Sequence, residues 1–255
     1  MNIIYVSKTT SKKTFDNIYA DALVKPQQQD QKFHSRLIDG FQKASHKVYA
    51  ISSRPMNRQT SKKLFFKNQV EDVGLVTYFY IAFINIVFLR QLFLSVGTFF
   101  RLRRILKKEK GLESVIICDP LNLSLSIAVR FATMFGNTKK VAVLTDLPIM
   151  LENKGSFYKK LSHNLLSSYD KFICLSKHMI SYLNIEKNKA LVIEGIYDET
   201  DTLKNQSSAK ENIIFYSGNL SKESGVDLLL EAFADDRFKD FKLLVCGLGE
   251  LSELV

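Results

Sequence analysis

The feature that most limits what this chain can fold into is a rhythm: short apolar runs, each the length of one strand, separated by stretches of helical periodicity. Ile3, Ile4, Tyr5 and Val6 form the first run and His46 to Ser52 the second. Between them, Phe33, Leu37, Ile38 and Phe41 recur at the spacing of one helix face. Ser114 to Cys118, Lys140 to Leu144, Phe172 to Leu175 and Ala190 to Ile193 repeat the strand signal. Helix-like segments lie at Leu121 to Phe135, Ser156 to Ser168 and Lys177 to Leu183. Alternation at this length predicts an α/β architecture, a parallel sheet with helices on both faces.

From Asp198 to Asn212 the residues are polar and carry almost no core, which marks a linker over 199–211 between a first domain, 1–198, and a second, 212–255. The rhythm then restarts with a strand from Asn212 to Ser217, a helix from Gly225 to Ala234 and a strand from Phe241 to Cys246. Gly247, Leu248 and Gly249 follow at once. Two strands and a helix cannot bury both faces of a parallel sheet. The expectation is therefore a partial second domain, truncated or completed by another polypeptide.

Val73 to Leu89 holds no charged residue, and apart from Arg90 the apolar character continues to Phe100. Spanning a bilayer takes about 20 apolar residues, and Thr77, Tyr78, Tyr80 and Asn85 interrupt this run. A buried helix pair, an interfacial segment and a true span all remain open. Next come Arg101, Arg103, Arg104, Lys107, Lys108 and Lys110, with Leu102, Ile105 and Leu106 on one helical stripe and the cations on the other face. Such a helix suits an anionic bilayer, each cation near the surface contributing about 1 kcal/mol; it is equally a solvated face.

Net charge is +10, from 36 Lys and Arg against 26 Asp and Glu, so the surface attracts anions without choosing among them. Zinc spacing, an aromatic stacking motif and a basic tail are missing, so nucleic acid is not an expected partner, and no metal is expected. Cys118, Cys174 and Cys246 are odd in number, far apart and each set in an apolar run, which predicts buried free thiols in a reducing, cytoplasmic compartment. The apolar stretch at the N-terminus is too short for a secretory signal.

Four strings carry a family resemblance. From Asn212 the chain reads Asn-Ile-Ile-Phe-Tyr-Ser-Gly-Asn-Leu-Ser-Lys-Glu-Ser-Gly-Val-Asp-Leu-Leu-Leu-Glu-Ala-Phe. Val143 to Pro148 reads Val-Leu-Thr-Asp-Leu-Pro, and Tyr169 to Met179 reads Tyr-Asp-Lys-Phe-Ile-Cys-Leu-Ser-Lys-His-Met. Val192 to Ile196 with Asp198 gives the fourth. In this order they resemble the group 1, family 4 retaining glycosyltransferases of bacterial exopolysaccharide and capsule synthesis. The resemblance covers most of the chain and is strongest from Thr145 onward. It implies a GT-B fold: a complete Rossmann-like acceptor domain followed by the start of a donor domain. It also implies transfer of a hexose from a nucleotide diphosphate sugar to a lipid-linked or polysaccharide acceptor. Retention by such enzymes has the leaving diphosphate help deprotonate the acceptor, so no strong protein base and no cofactor is implied.

Ser217, Gly218, Asn219, Lys222, Gly225, Gly247 and Gly249 are the implied donor-binding residues. Gly218 lets backbone approach a ligand at a strand's carboxyl end, and Gly225 opens a helix whose N-terminus favours a diphosphate. The family commonly has a basic residue where Asn219 stands and a Lys where Ser224 stands; only Lys222 is a nearby cation here. The alternative is a catalytically incompetent acceptor domain acting as a membrane-associated partner. Asp146, just past a strand, is the candidate catalytic group or else a helix cap. His34 is a candidate acceptor contact or a surface residue, and Arg101, Arg103, Arg104, Lys107 and Lys108 are candidates for the acceptor or membrane side. His178 is expected in a helix's first turn with Ser176 capping it. The chain is expected to lie peripherally on the inner face of the cell membrane.

Overall fold

The computed structural model describes residues 1–26, 28–147, 155–197 and 211–255. The chain divides into two compact units, Met1–Asp198 and Glu199–Val255. Most of the expected linker lies outside the described residues.

In the first unit the strands β1 (Asn2–Ser7), β2 (Lys47–Ser52), β5 (Val76–Tyr80), β7 (Ser114–Cys118), β8 (Lys139–Leu144), β9 (Lys171–Cys174) and β10 (Ala190–Val192) pair in parallel. Strand β4 (Gln69–Val73) adds an antiparallel edge on β5. The eight-stranded order is β10-β9-β8-β7-β1-β2-β5-β4. Its direction of growth therefore reverses at β1, with β2 on one side and β7 on the other.

All six residues of β1 are buried. Its even and odd positions feed different layers. Ile3 and Tyr5 pack with Ile38 of α2 (Gln29–Lys43), with Phe33, Leu37 and Phe41 against that cluster. Ile4 and Val6 pack with Leu94, Leu102 and Ile105 of α3 (Val87–Lys108) and with Leu125 and Val129 of α4 (Leu123–Thr133). Coverage on both faces is why the strand reads as an unbroken apolar run. Each fully buried aliphatic side chain contributes about 1.5–3 kcal/mol. Shorter helices α1 (Lys12–Asp21), α5 (Ser156–Leu166) and α6 (Lys177–Tyr182) complete the layers, and β3 (Phe65–Phe66) pairs with β6 (Phe83–Ile84) in a two-stranded ribbon.

Over most of its length the apolar segment at 73–89 is neither the helix pair nor the span that the sequence left open. Gly74 takes φ +58° in a turn joining β4 to β5, and Val76, Tyr78 and Tyr80 alternate into the core at strand period. Helix begins only at Val87 and runs without a break into the basic stretch. Among the described residues no helix is long and apolar enough to cross a membrane.

The second unit holds β11 (Ile213–Asn219), α7 (Val226–Phe233) and β12 (Lys242–Leu248), the strands pairing in parallel from Ile213 with Lys242 to Asn219 with Leu248. Leu220, Val226 and Leu251 form a small buried cluster against which Tyr216, Leu230 and Val245 pack. The opposite sheet face is exposed, with Phe215 at 64% and Leu248 at 83%. Cys246 lies on it. Cys118 and Cys174 are buried free thiols as expected, but Cys246 is exposed, because its strand is covered on one side only.

Candidate active site

Where the order of a doubly wound sheet reverses, the flanking loops diverge and leave a crevice at the carboxyl ends of the strands. Here β1 delivers Lys8, β7 delivers Asp119 and β8 delivers Thr145 and Asp146 to that edge. Two adjoining cavities of about 820 and 570 Å³ open there. Both are lined by Lys8, Asp30, Arg90 and Asp119. Asp146 with Tyr158 lines the larger and His34 with Gln31 the smaller.

The structure thus brings His34 and Asp146 to one edge of one sheet. His34 is buried rather than a surface residue, only 2% exposed, because it sits on the face of α2 that packs on β1. Its Nδ1 shares a 2.7 Å hydrogen bond with the Tyr5 hydroxyl. Burial lowers its pKa, partly opposed by Asp119 and Asp30 and reinforced by Lys8, which favours a neutral ring. Burial likewise drives the Tyr5 hydroxyl well above its ordinary value. Asp119 accepts from the Leu121 amide at 3.0 Å and Asp146 from the Leu147 amide at 2.8 Å, each through Oδ1. One carboxylate oxygen of each is used locally, and no hydrogen bond engages the other among the described residues. The residues that an Asp146-capped helix would first occupy lie outside the described set.

Asp119, Lys8 and Arg90 were missed from sequence. Asp119 carried the same signal as Asp146, a carboxylate directly after a buried strand. Arg90 was hidden as one charge inside an apolar run.

The basic residues of α3 divide. Leu102 and Ile105 are buried as the stripe predicts, and Arg104, Lys107 and Lys108 are exposed. Arg101 instead turns inward, its guanidinium 4.5 Å from the Phe79 ring, where burial and then Arg104 lower its pKa. Arg103 reaches back to the Ala132 carbonyl at 3.4 Å. His178 does lie in the first turn of α6, but the Ser176 side chain makes no capping hydrogen bond.

In the second unit the expected donor loops meet at the carboxyl ends of β11 and β12. The Leu220 amide donates to the Leu248 carbonyl at 3.0 Å and the Leu251 amide to the Leu220 carbonyl at 2.9 Å. A Cβ at Gly247 would overlap the Gly218 carbonyl oxygen, and one at Gly249 the Leu220 carbonyl oxygen. Those two glycines are thus required by strand-to-strand approach before any ligand is considered. Gly225 is different: it takes φ +70° with nothing within 4 Å of a Cβ position, opening α7 in a left-handed conformation. Lys222 is exposed, its amide donating to Glu250 Oε1 at 3.2 Å, and the Asn219 carbonyl accepts from Tyr216. Ser217 lies on the exposed face of β11. No group of His, Cys, Asp and Glu among the described residues is placed to hold a metal ion.

Residues 198–254, which span this βαβ unit, match the family described as Glycosyl transferases group 1. No curated protein matches the chain by sequence. The catalytic domain of starch synthase IV from Arabidopsis thaliana, bound to ADP and acarbose, aligns at TM-score 0.60 and 9% identity over 100% of this chain and 70% of that one. The fold is that of the GT-B glycosyltransferases. A trehalose-6-phosphate structure from E. coli bound with UDP-2-fluoro glucose aligns at TM-score 0.55 and 10% identity, over 99% of this chain and 66% of that one. An alpha,alpha-trehalose 6-phosphate synthase from Burkholderia multivorans aligns at 0.52 and 11%, over 99% and 64%. The chain spans about two thirds of the length of these GT-B structures. The likeness to glycosyltransferases is thus one of sequence over residues 198–254 and of fold over the whole chain.

Proposed function

We propose that this chain transfers a hexose, with retention, from a nucleotide diphosphate sugar to a lipid-linked or polysaccharide acceptor in cell-surface polysaccharide assembly. The observation that carries the reading is the family match falling on β11–α7–β12, where Gly218, Gly225, Gly247 and Gly249 line the carboxyl edge at which such folds take ligands. The amides opening α7 would face the diphosphate, with Lys222 as the cation alongside. Asp146 and Asp119 each keep one carboxylate oxygen for an acceptor hydroxyl.

Membrane placement belongs to the same proposal. Phe88, Leu92, Val96 and Phe100 form an exposed stripe along the first half of α3, at 83, 53, 46 and 64% exposure, and Arg104, Lys107 and Lys108 follow on the second half. An apolar stripe continued by cations suits a helix lying in the plane of an anionic bilayer, on the inner face of a cell membrane.

Calorimetric titration of the chain with UDP-, GDP- and ADP-sugars tests the donor half. Binding of one of them is expected, weakened at least tenfold in Gly225→Asn, which tolerates the left-handed backbone yet fills the space before α7. Absence of binding to every nucleotide diphosphate would remove the proposal. Sedimentation with phosphatidylglycerol vesicles, and not with phosphatidylcholine vesicles, is the matching expectation for α3.

A further inference from the structure

We infer that Tyr5 is a positioning residue: by donating to Nδ1 of His34 it holds the single proton of the neutral ring on Nε2, so that His34 meets whatever enters the smaller cavity as a hydrogen-bond donor and never as a base. The inference deepens the transfer reading above by assigning this side chain its part at the cleft.

The geometry starts from β1. Tyr5 pairs with Ala50 on one side and Ile117 on the other, and its side chain is 1% exposed in a layer shared with Ile3, Ile38, Val48 and Val143. Those aliphatic neighbours offer no lone pair. Among the described residues the Tyr5 hydroxyl has one hydrogen-bond partner, His34 Nδ1 at 2.7 Å. A neutral imidazole has one N–H and one lone pair, and a phenol has one proton to give. If Nδ1 carried the ring proton, it would donate to the phenol oxygen and leave the phenol's own proton without an acceptor in an apolar layer, which is the costly arrangement. The hydroxyl therefore donates, Nδ1 accepts, and Nε2 carries the proton. Burial supports both protonation states, keeping the phenol protonated and the ring neutral.

The ring is held in that orientation. Phe33 meets it edge-on with centroids 5.8 Å apart and planes at 82°, and Tyr5 does so at 5.7 Å and 72°. Close to one turn earlier on α2, Gln31 accepts from the Thr10 amide at 3.0 Å and donates to the Thr10 carbonyl at 2.7 Å, which clamps the loop after β1 to the helix. Tyr5 lines neither cavity and His34 lines the smaller, so the ring edge presented there is the one away from Nδ1. Nε2 has no hydrogen-bond partner among the described residues. Asp30 and Asp119 line the same cavity as acceptors. A hydroxyl in this cavity can accept from His34 and donate to one of those carboxylates, whereas an ammonium ion finds no lone pair on His34. The same tautomer removes His34 from the candidate bases of the transfer reaction.

Nitrogen-15 spectra of the intact chain with labelled histidine, recorded without nucleotide at about pH 8, above the ordinary histidine pKa, test the assignment. The His34 signals, assigned by their loss in H34Q, are expected to show a one-bond proton coupling at Nε2 and none at Nδ1, with Nδ1 correlated to the Tyr5 hydroxyl proton. Y5F keeps the buried ring and removes only the hydroxyl. In it the ratio of Nε2–H to Nδ1–H at His34 should fall at least about threefold, the weight of one hydrogen bond, while the ratios at His46, His163 and His178 stay as they are. A role in packing alone would leave the His34 ratio unchanged. A proton found on Nδ1 in the wild type, or an unchanged ratio in Y5F, would overturn the inference, and the wild-type spectrum decides by itself should Y5F fail to fold. Neither donor nor acceptor is present, so failure here is separate from failure of nucleotide sugar binding.

Discussion

Strands β1 and β11 open the same kind of strand–helix–strand unit, yet their burial differs throughout. Every residue of β1 is buried between two helical layers, whereas β11 alternates between exposed and half-buried because, among the described residues, α7 covers one face of its sheet. The loops bearing Lys8, Asp119 and Asp146 hang from a sheet fixed on both sides. The loops bearing Gly218, Gly225 and Gly249 hang from a strand pair whose geometry rests largely on backbone contact between Gly247 and Gly218 and on the Leu220 and Leu251 amide hydrogen bonds. Side-chain packing shapes the first edge and backbone approach the second. The two should therefore fail under different substitutions.

Gly247→Ala should have the largest effect on the second unit. Its added methyl overlaps the Gly218 carbonyl oxygen, which belongs to backbone and cannot swing away as a side chain would. A local loss above about 4 kcal/mol is expected, in the exceptional range for one substitution. Hydrogen exchange should then show unprotected amides across 213–219 and 242–248, with 2–7 and 114–118 still protected. Equal protection of both pairs in the variant would contradict a backbone-determined edge.

The next contrast truncates one apolar side chain in each sheet. Ile4→Ala removes a side chain with no exposed surface from the centre of β1, and should cost about 3 kcal/mol by denaturant unfolding. Phe215→Ala removes a larger side chain, but at 64% exposure it should change stability by less than about 0.5 kcal/mol. A comparable loss at Phe215 would mean that its sheet face is covered in solution, by a second copy or another partner.

The same contrast explains what could be read from sequence. The run from Ser114 to Cys118 matches β7 residue for residue, and β1, β2, β8 and β9 differ from expectation by a residue or two at their ends, because strands buried on both faces are apolar throughout. Helix α1 was illegible: Phe15 is its one buried residue, so KKTFDNIYAD carries almost no periodic signal. At 73–89 the error came from the period. Val76, Tyr78 and Tyr80 face one layer, but Phe79 and Tyr80 are adjacent and both apolar, so the two-residue alternation vanished into a uniform run that resembled helix. Gly74 was the remaining clue to the turn. Of the candidate site, Asp146 and Gly249 were visible because they follow strands, Gly218 and Gly247 because they lie at strand ends, and Gly225 because it opens a helix. Arg90 and His34 acquire their roles only from which neighbours α2 and α3 bury, and spacing carries no record of that.

The smallest expected effect concerns pH and the first unit alone. Burial lowers the His34 pKa below its ordinary value of 6.5, with Lys8 adding to the shift and Asp119 and Asp30 opposing it. The folded state thus binds fewer protons at this position than the unfolded chain does. Protonation favours unfolding, so the contribution is complete above pH 6.5 and declines as pH falls from there towards the lower folded pKa. Unfolding midpoints measured between pH 7.5 and 5 should drop for the wild type more than for His34→Gln, which cannot titrate. The second unit contributes no buried histidine, so the exchange protection of 213–219 should change equally in both proteins over that range. Parallel pH profiles for the two proteins would mean that burial does not hold the His34 ring neutral, and that His34 is free to act as an acid at the cleft.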